Sequence, residues 1–480
     1  MVDIVLFALS IIKGEEITRR FVVKDSNSNV MYSGDYISAM EPIIRYKLSV
    51  RSDHDTEFII LCSHAVLDTI PELNMSSYDY LIERIKSFTH NEGILDERIK
   101  YKAISIDEAT PVTGIYETAE YIRSKKGNIG DFWIDTHGGF RDISLMLEGI
   151  LSLLKVYDIM PDTVYGIRYN EGRETELIEQ TEAFRIFDFV SGINEFINYG
   201  RIDIIKGYYK NTTNTALLDV LKAMEKVSDG IQMCDPESYV KGLNELERTM
   251  FSGDDLIRTG ELLFDIFLEY IRIDYGELLD SKKRTPLMII RRSTAKKMYQ
   301  QALTFIESLM PEFFIDNKLI YYDKEKYEST VETCKIDNKK NYMDNDHYVF
   351  DTGCINVIYY FNRELTEKIK SGNKNRDVRD TDYIICKAIE MACTPKVLRT
   401  SLQGGLPKEL RINPDTKIPL LSCIVDPDKK NLLGKILRLH KALKGTRNLV
   451  NHSNGNIRPP MDGLINAINL YIEMFAELGY

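Results

Sequence analysis

The sequence has little cysteine, and what it has is scattered. Seven cysteines (Cys62, Cys234, Cys334, Cys354, Cys386, Cys393 and Cys423) are spread over 480 residues, an odd number with no C-x-x-C pair. That argues against a disulfide framework and a thiolate zinc site, and it fits a reducing compartment. Positive charge is also in deficit: the net charge is −11 and the pI about 5.4. A protein that coats duplex nucleic acid would carry a basic footprint, so only a local grip on a few phosphates stays open. No apolar run reaches membrane length. The first such run, Asp3 to Ile12, has no basic region before it and no cleavage site after it, and it reads as a buried strand. Neither G-x-G-x-x-G nor G-x-x-x-x-G-K-[ST] is present, which weakens NAD, FAD and ATP as ligands. A cytoplasmic protein without a membrane partner is the expectation.

The length calls for two or three domains. The first ~170 residues alternate short apolar runs with amphipathic stretches, the βα signature of a parallel sheet flanked by helices. Strands are expected at Ile4–Ala8, Phe58–Cys62, Tyr101–Ile106, Phe132–Asp135 and Val164–Arg168, with a hairpin over Phe21–Tyr32. Helices are expected near Ile37–Leu48, Ser77–Phe88, Ile115–Ser124 and Ile143–Tyr157. From about Thr181 helical periodicity dominates: Phe184–Asn198, Ala216–Val227, Pro236–Met250, Leu256–Ile273, Thr294–Leu309, Asn431 to about Asn451, and Asp462–Leu478. The expected architecture is a Rossmann-like α/β domain over 1–180 and an all-α domain over 181–480, with a polar insertion at about 310–380 that includes Tyr322–His347. Ser371–Asp382 reads as a second charged loop.

Two short stretches carry chemistry. Thr136-His137-Gly138-Gly139-Phe140-Arg141 joins the strand ending at Asp135 to the helix from Ile143. Two glycines let backbone approach a ligand closely, and the helix start presents free N–H groups to an anion. Thr136, His137 and Arg141 add side-chain donors at the carboxyl end of a parallel sheet, where such folds bind ligands. Ser10 and the rest of the first strand's exit, through Gly14 to Glu15, lie on the same edge and could close the pocket. A nucleotide phosphate suits these groups. A tight glycine turn with a capping threonine is the plainer reading. Asp135 and His137 alone make a weak metal site.

The second stretch, Arg447-Asn448-Leu449-Val450-Asn451-His452, has the form R-x4-H. With 26 arginines and seven histidines in the chain, spacing alone carries little weight, and Arg84 with His90 makes a second match to the looser R-x4–6-H form, read as a solvated helix face. Context separates them. The apolar stripe of the later helix runs Leu433, Ile436/Leu437, 440, Leu443, 447, so Arg447 falls where a buried residue belongs. A charge there must be paired or face a wet cleft. His452 lies about 140° further round a regular helix at ~100° per residue, so convergence needs a helix break near Asn451 or a second subunit. Metal-free RNA cleavage takes a proton from the 2′-hydroxyl and gives one to the 5′-oxygen, which suits His452. It builds charge on phosphoryl oxygens, which suits Arg447, with Asn448 orienting either group or the phosphate. Otherwise Arg447 caps carbonyls at the helix end and His452 is a loop residue.

Together these residues resemble the CARF–HEPN ribonucleases of type III CRISPR systems. Asp135-Thr136-His137-Gly138 is similar to the D-x-T-H-G signature of one CARF branch, with the aspartate directly before the threonine, and Phe140-Arg141 continues it. Arg447-Asn448…His452 resembles the HEPN R-[polar]-x-H motif near the C-terminus. The junction Phe184–Val190 with Tyr199-Gly200-Arg201 is similar to the family's first interdomain helix. The resemblance implies a homodimeric CRISPR antiviral-defence endoribonuclease. Its CARF pair would bind a cyclic oligoadenylate, tetra- or hexa-adenylate, through Ser10 and Thr136 to Arg141. Its HEPN pair would then cleave single-stranded RNA with Arg447, Asn448 and His452, using no cofactor or metal. It also leaves open slow self-cleavage of the activator by His137 or Thr136. Three alternatives remain: a nucleotide sensor that only binds a partner, a transcription regulator, and a metal-dependent nuclease. The regulator lacks a basic recognition helix. The metal nuclease lacks an evident Asp/Glu/Lys cluster in the C-terminal half.

Overall fold

Strand β1 (Val2–Ala8) is buried at all seven positions, and the first unit of the chain is assembled around it. The computed structural model describes residues 1–12, 18–24, 29–38, 40–50, 53–71, 73–107, 109–139, 143–169, 174–253, 255–322, 325, 389, 394–402, 410–411, 419–451 and 459–480. The chain divides into two units, Met1–Asp188 and Phe189–Tyr480.

In the first unit β1 is followed by β2 (Arg19–Lys24), β3 (Val30–Tyr36), α1 (Glu41–Ser49), β4 (Asp55–Ser63) and α2 (His64–Leu67). Then come a small hairpin of β5 (Thr69–Ile70) and β6 (Met75–Ser76), α3 (Ser77–Glu92), β7 (Ile99–Ile106) and α4 (Pro111–Arg123). The remaining elements are β8 (Ile129–Asp135), α5 (Ile143–Val156), β9 (Thr163–Tyr169) and β10 (Glu174–Glu179). Eight strands form one sheet in the order β3-β2-β10-β9-β8-β1-β4-β7. The run β9-β8-β1-β4-β7 is parallel throughout. All five strands expected from the apolar runs are therefore present, and the hairpin is the antiparallel pair β2–β3.

Two-residue periodicity explains the layers. Along β1, Val2, Ile4, Leu6 and Ala8 enter a core shared with α4 and α5 residues such as Ile122 and Leu147. Val5 and Phe7 enter a second core with Ile43 of α1 and Leu81 of α3 on the other face. The strand of the main sheet missed by the apolar pattern is β10, which runs antiparallel to β9 and parallel to β2. Its Glu176 is buried, which breaks the hydrophobic signal, and it is satisfied across strands by Lys24 and Arg168.

Near the amino ends of β1 and β8 a cation is buried against carboxylates. Lys47 Nζ lies 2.9 Å from Asp3 Oδ2, 2.8 Å from Asp131 Oδ2 and 4.4 Å from the Trp133 ring centroid. Burial opposes ionisation of Asp3, but Lys47, the Asp131 N–H and His54 outweigh it and hold the carboxyl at about 2. Lys47→Met leaves that carboxylate buried without its cation. A loss of about 3–5 kcal/mol is expected in urea unfolding at neutral pH. A depressed carboxyl contributes stability above its unfolded value and loses it as pH falls through the folded one. The gap between wild type and Lys47→Met should therefore close from pH 3.8 towards about 2. Equal unfolding midpoints at pH 7 would refute this role.

The second unit is helical: α6 (Thr181–Tyr199, which contains the division), α7 (Asp203–Tyr208), α8 (Thr215–Gln232) and α9 (Pro236–Met250). After a hairpin of β11 (Phe251–Ser252) and β12 (Asp255–Leu256) come α10 (Leu262–Tyr275), α11 (Pro286–Ala295) and α12 (Tyr299–Asp316). Later helices are Pro395–Ser401, Pro427–Asn451 and Met461–Leu478. It is not strictly all-α, because β13 (Ile320–Tyr322), β14 (Leu410–Arg411) and β15 (Pro419–Ser422) make a small antiparallel sheet.

Two expected helices are corrected. Leu256–Ile273 begins only at Leu262, since Gly260 takes a φ of +81°. Thr294–Leu309 is divided between α11 and α12 by Lys297, at a φ of +60°. Residues 310–322, grouped with the insertion by composition, form the end of α12 and β13, with Met310 and Phe314 fully buried. Residues 323–347 and 371–382 lie outside the described residues apart from Glu325.

Candidate functional site

The sheet order reverses direction beside β1. From β1 the chain steps to β4 and then β7 on one side, and from β8 to β9 on the other. The carboxyl ends of β1 and β8 therefore flank the switch point, the crevice where open α/β sheets bind ligands. The exit of β1 places Ser10 there, and the exit of β8 places Thr136 to Gly139.

These two exits touch. The Gly139 N–H donates to Ser10 Oγ at 2.8 Å. Gly138 and Gly139 have φ of +102° and +78°, where L side chains are strained. A Cβ on Gly138 would lie 2.4 Å from Met40 Cε and 2.9 Å from the Ala8 carbonyl oxygen. One on Gly139 would lie 2.7 Å from Ala8 Cβ. The glycines are what let the turn lie against the end of β1.

The side chains around the turn are held from β9. Thr136 donates its N–H and its hydroxyl to the Tyr165 carbonyl at 2.9 and 3.1 Å. His137 Nε2 is 2.9 Å from the Tyr169 hydroxyl, and burial holds its ring below the ordinary histidine pKa. Arg19 lies over the Tyr169 ring at 5.7 Å, bringing a cation towards the same edge. Tyr169, Arg19 and Met40 were not picked out from sequence, because each reaches the site from a separate element.

Asp135 is 1% exposed; Oδ1 accepts the His137 N–H at 2.8 Å, and Oδ2 makes no hydrogen bond among the described residues. Burial pushes the carboxyl up to about 8, with the His137 N–H pulling the other way. The acid is thus mostly protonated at neutral pH and leaves the crevice free of a buried anion. A raised carboxyl stabilises the fold below its unfolded value and loses that stabilisation as pH rises through the folded one. Wild-type stability relative to Asp135→Asn should therefore decline between pH 3.8 and about 8. A pH-independent difference in melting temperature would refute the shift. Phe140, Arg141 and residues 13–17 lie outside the described residues.

In the second unit, the helix Pro427–Asn451 buries the expected stripe: Leu433, Ile436, Leu437, His440 and Leu443 are fully buried. His440 fills its slot as a core residue, with Nδ1 2.9 Å from the Tyr471 hydroxyl. Arg447 continues the stripe and is paired: its Nε is 3.0 Å from Glu307 Oε2 on α12. Its Nη1 donates to Asn448 Oδ1 at 3.3 Å, and Lys444 Nζ is 3.7 Å from Glu307 Oε1. The Cys234 thiol is close enough to feel the Arg447 charge, although burial sets its raised pKa. Glu307 lies 140 residues before Arg447, and no local pattern announces it. His452 lies outside the described residues.

The second Arg–His match needs correcting on one point. Arg84 is half-buried and ion-paired, its Nε and Nη2 both bonding Glu41, which is 2% exposed. Only His90 is exposed. Among the described residues no group of three or more His, Cys, Asp or Glu is placed to hold a metal ion, and no helix is long and apolar enough to cross a membrane.

No family model matches the chain, and no curated protein does. Among solved structures, it is similar to Enterococcus italicus Csm6 bound to cyclic hexa-2′-fluoro-hexa-dAMP, at 10% identity and a TM-score of 0.38, over 100% of this chain and 94% of that one.

Proposed function

We propose that the chain is a CARF–HEPN endoribonuclease. A cyclic tetra- or hexa-adenylate binds the crevice of the first unit and activates cleavage of single-stranded RNA in the second. The observation that carries this reading is the switch-point crevice, where the Gly138-Gly139 turn, at positive φ, meets Ser10. The Arg19 cation, the Tyr169 hydroxyl and the His137 ring at that edge suit a phosphodiester ligand, and a protonated Asp135 does not repel it.

In the second unit the cut is a transesterification. The 2′-oxygen attacks the adjacent phosphorus, the bond to the 5′-oxygen breaks, and a 2′,3′-cyclic phosphate is left. His452 serves proton transfer, and Arg447 stabilises charge on the phosphoryl oxygens with Asn448 beside it. A homodimer places two such sets about one axis. Leu262, Ile266, Tyr270 and Ile273 stand exposed along one face of α10, a stripe that a second copy would cover.

One observation favours the competing reading of a sensor that only binds a partner: Arg447 already has a carboxylate, as a purely structural arginine would. Labelled single-stranded RNA, incubated in excess EDTA with and without each cyclic oligoadenylate, separates the two. Cleavage dependent on one ring supports the ribonuclease. No cleavage with either ring, alongside a thermal shift, supports the sensor.

A further inference from the structure

We infer that Glu307 is a positioning residue for Arg447, holding the guanidinium ready for the RNA phosphate. This rests on the reading of Arg447 as the charge-stabilising group. Glu307 is on α12, with its side chain only 15% exposed, and it faces two cations of the neighbouring helix, Lys444 and Arg447. These are three residues apart and share one helix face. The 3.0 Å Nε–Oε2 contact is an ion pair without hydrogen-bond alignment. Its role is to fix direction, since the net worth of such a pair to stability is small or case-dependent.

Charge and geometry decide between positioning and quenching. One carboxylate between two cations leaves the trio with one net positive charge, so a phosphate is still attracted. The pair engages Arg447 through Nε, whereas a guanidinium carries five N–H donors, four of them on the Nη nitrogens. One Nη1 N–H goes to Asn448 Oδ1, which leaves three Nη donors, enough for an end-on bidentate fork to phosphate oxygens. An arginine freed of this contact would explore several rotamers and would have to lose that freedom at each encounter with RNA.

The test uses the full-length, activated protein as wild type, Glu307→Gln, Arg447→Ala and the double variant. Glu307→Gln keeps the shape of the side chain and removes its charge. A fall of about a hundredfold in kcat is expected with KM little changed, the scale of loss from misplacing a reacting group. The double variant should cleave no more slowly than Arg447→Ala alone, because residues acting as a unit do not add. Added methylguanidine should partly restore Arg447→Ala while Glu307 is present and should fail in the double variant. That readout would not respond to a merely structural glutamate. Wild-type or faster cleavage by Glu307→Gln, strictly additive losses, or equal rescue in both backgrounds would each overturn the inference. If Arg447→Ala itself cleaves normally, the ribonuclease assignment of Arg447 fails first, and that outcome is distinct.

Discussion

Arg447→Ala is expected to reduce activated RNA cleavage by about 10²–10³, the usual cost of removing a donor aimed at developing charge. His452→Ala should cost about 10²–10⁴ as a proton-transfer group. Both variants should bind the cyclic activator as wild type does, because their residues are in the second unit and the crevice is in the first. The check is a time course on labelled RNA at saturating activator, paired with a thermal-shift titration. The Arg447 loss is not explained by burial of an unpaired charge, since the substitution removes the cation and leaves Glu307 still facing Lys444. Undiminished cleavage by either variant would remove the proposed catalytic centre. His90→Ala should leave cleavage unchanged. Arg84→Ala is a poor control because it strips buried Glu41 of a two-point ion pair.

Substitution of Gly138 should uncouple sensing from cutting. At a φ of +102°, with a Cβ position 2.9 Å from the Ala8 carbonyl oxygen, alanine cannot be accommodated without moving the turn. Strain of about 1–3 kcal/mol corresponds to roughly a five- to 150-fold loss of affinity for the ligand that the turn cradles. Basal cleavage should survive, and activation by cyclic tetra- or hexa-adenylate should fall with affinity. Arg141→Ala should behave alike through loss of a cation instead of strain. Normal activation in both variants would show that the pocket is elsewhere.

How much of this was legible before folding differs between the two units. The central parallel strands β1 and β4 announced themselves because they are buried almost throughout, as strands covered on both faces must be. β1 could be read to within two residues. β10 was hidden because its interior carries Glu176, a charge made tolerable only by Lys24 and Arg168 on neighbouring strands. Helical breaks at Gly260 and Lys297 were missed because a single residue at positive φ leaves the apolar period almost unchanged.

The candidate site divides the same way. By itself, the order of residues determined that a glycine turn follows an apolar strand and that an arginine interrupts an apolar helical stripe. Both are local statements, made of neighbours in the chain. Only the tertiary structure decided that Ser10 meets Gly139, that Tyr169 holds His137, and that Glu307 answers Arg447. Those partners are separated by 129, 32 and 140 residues, and no helical or strand period extends that far. They come together because a sheet's strand order and the packing of one helix on another are set by burial summed over the whole unit, which no local window contains.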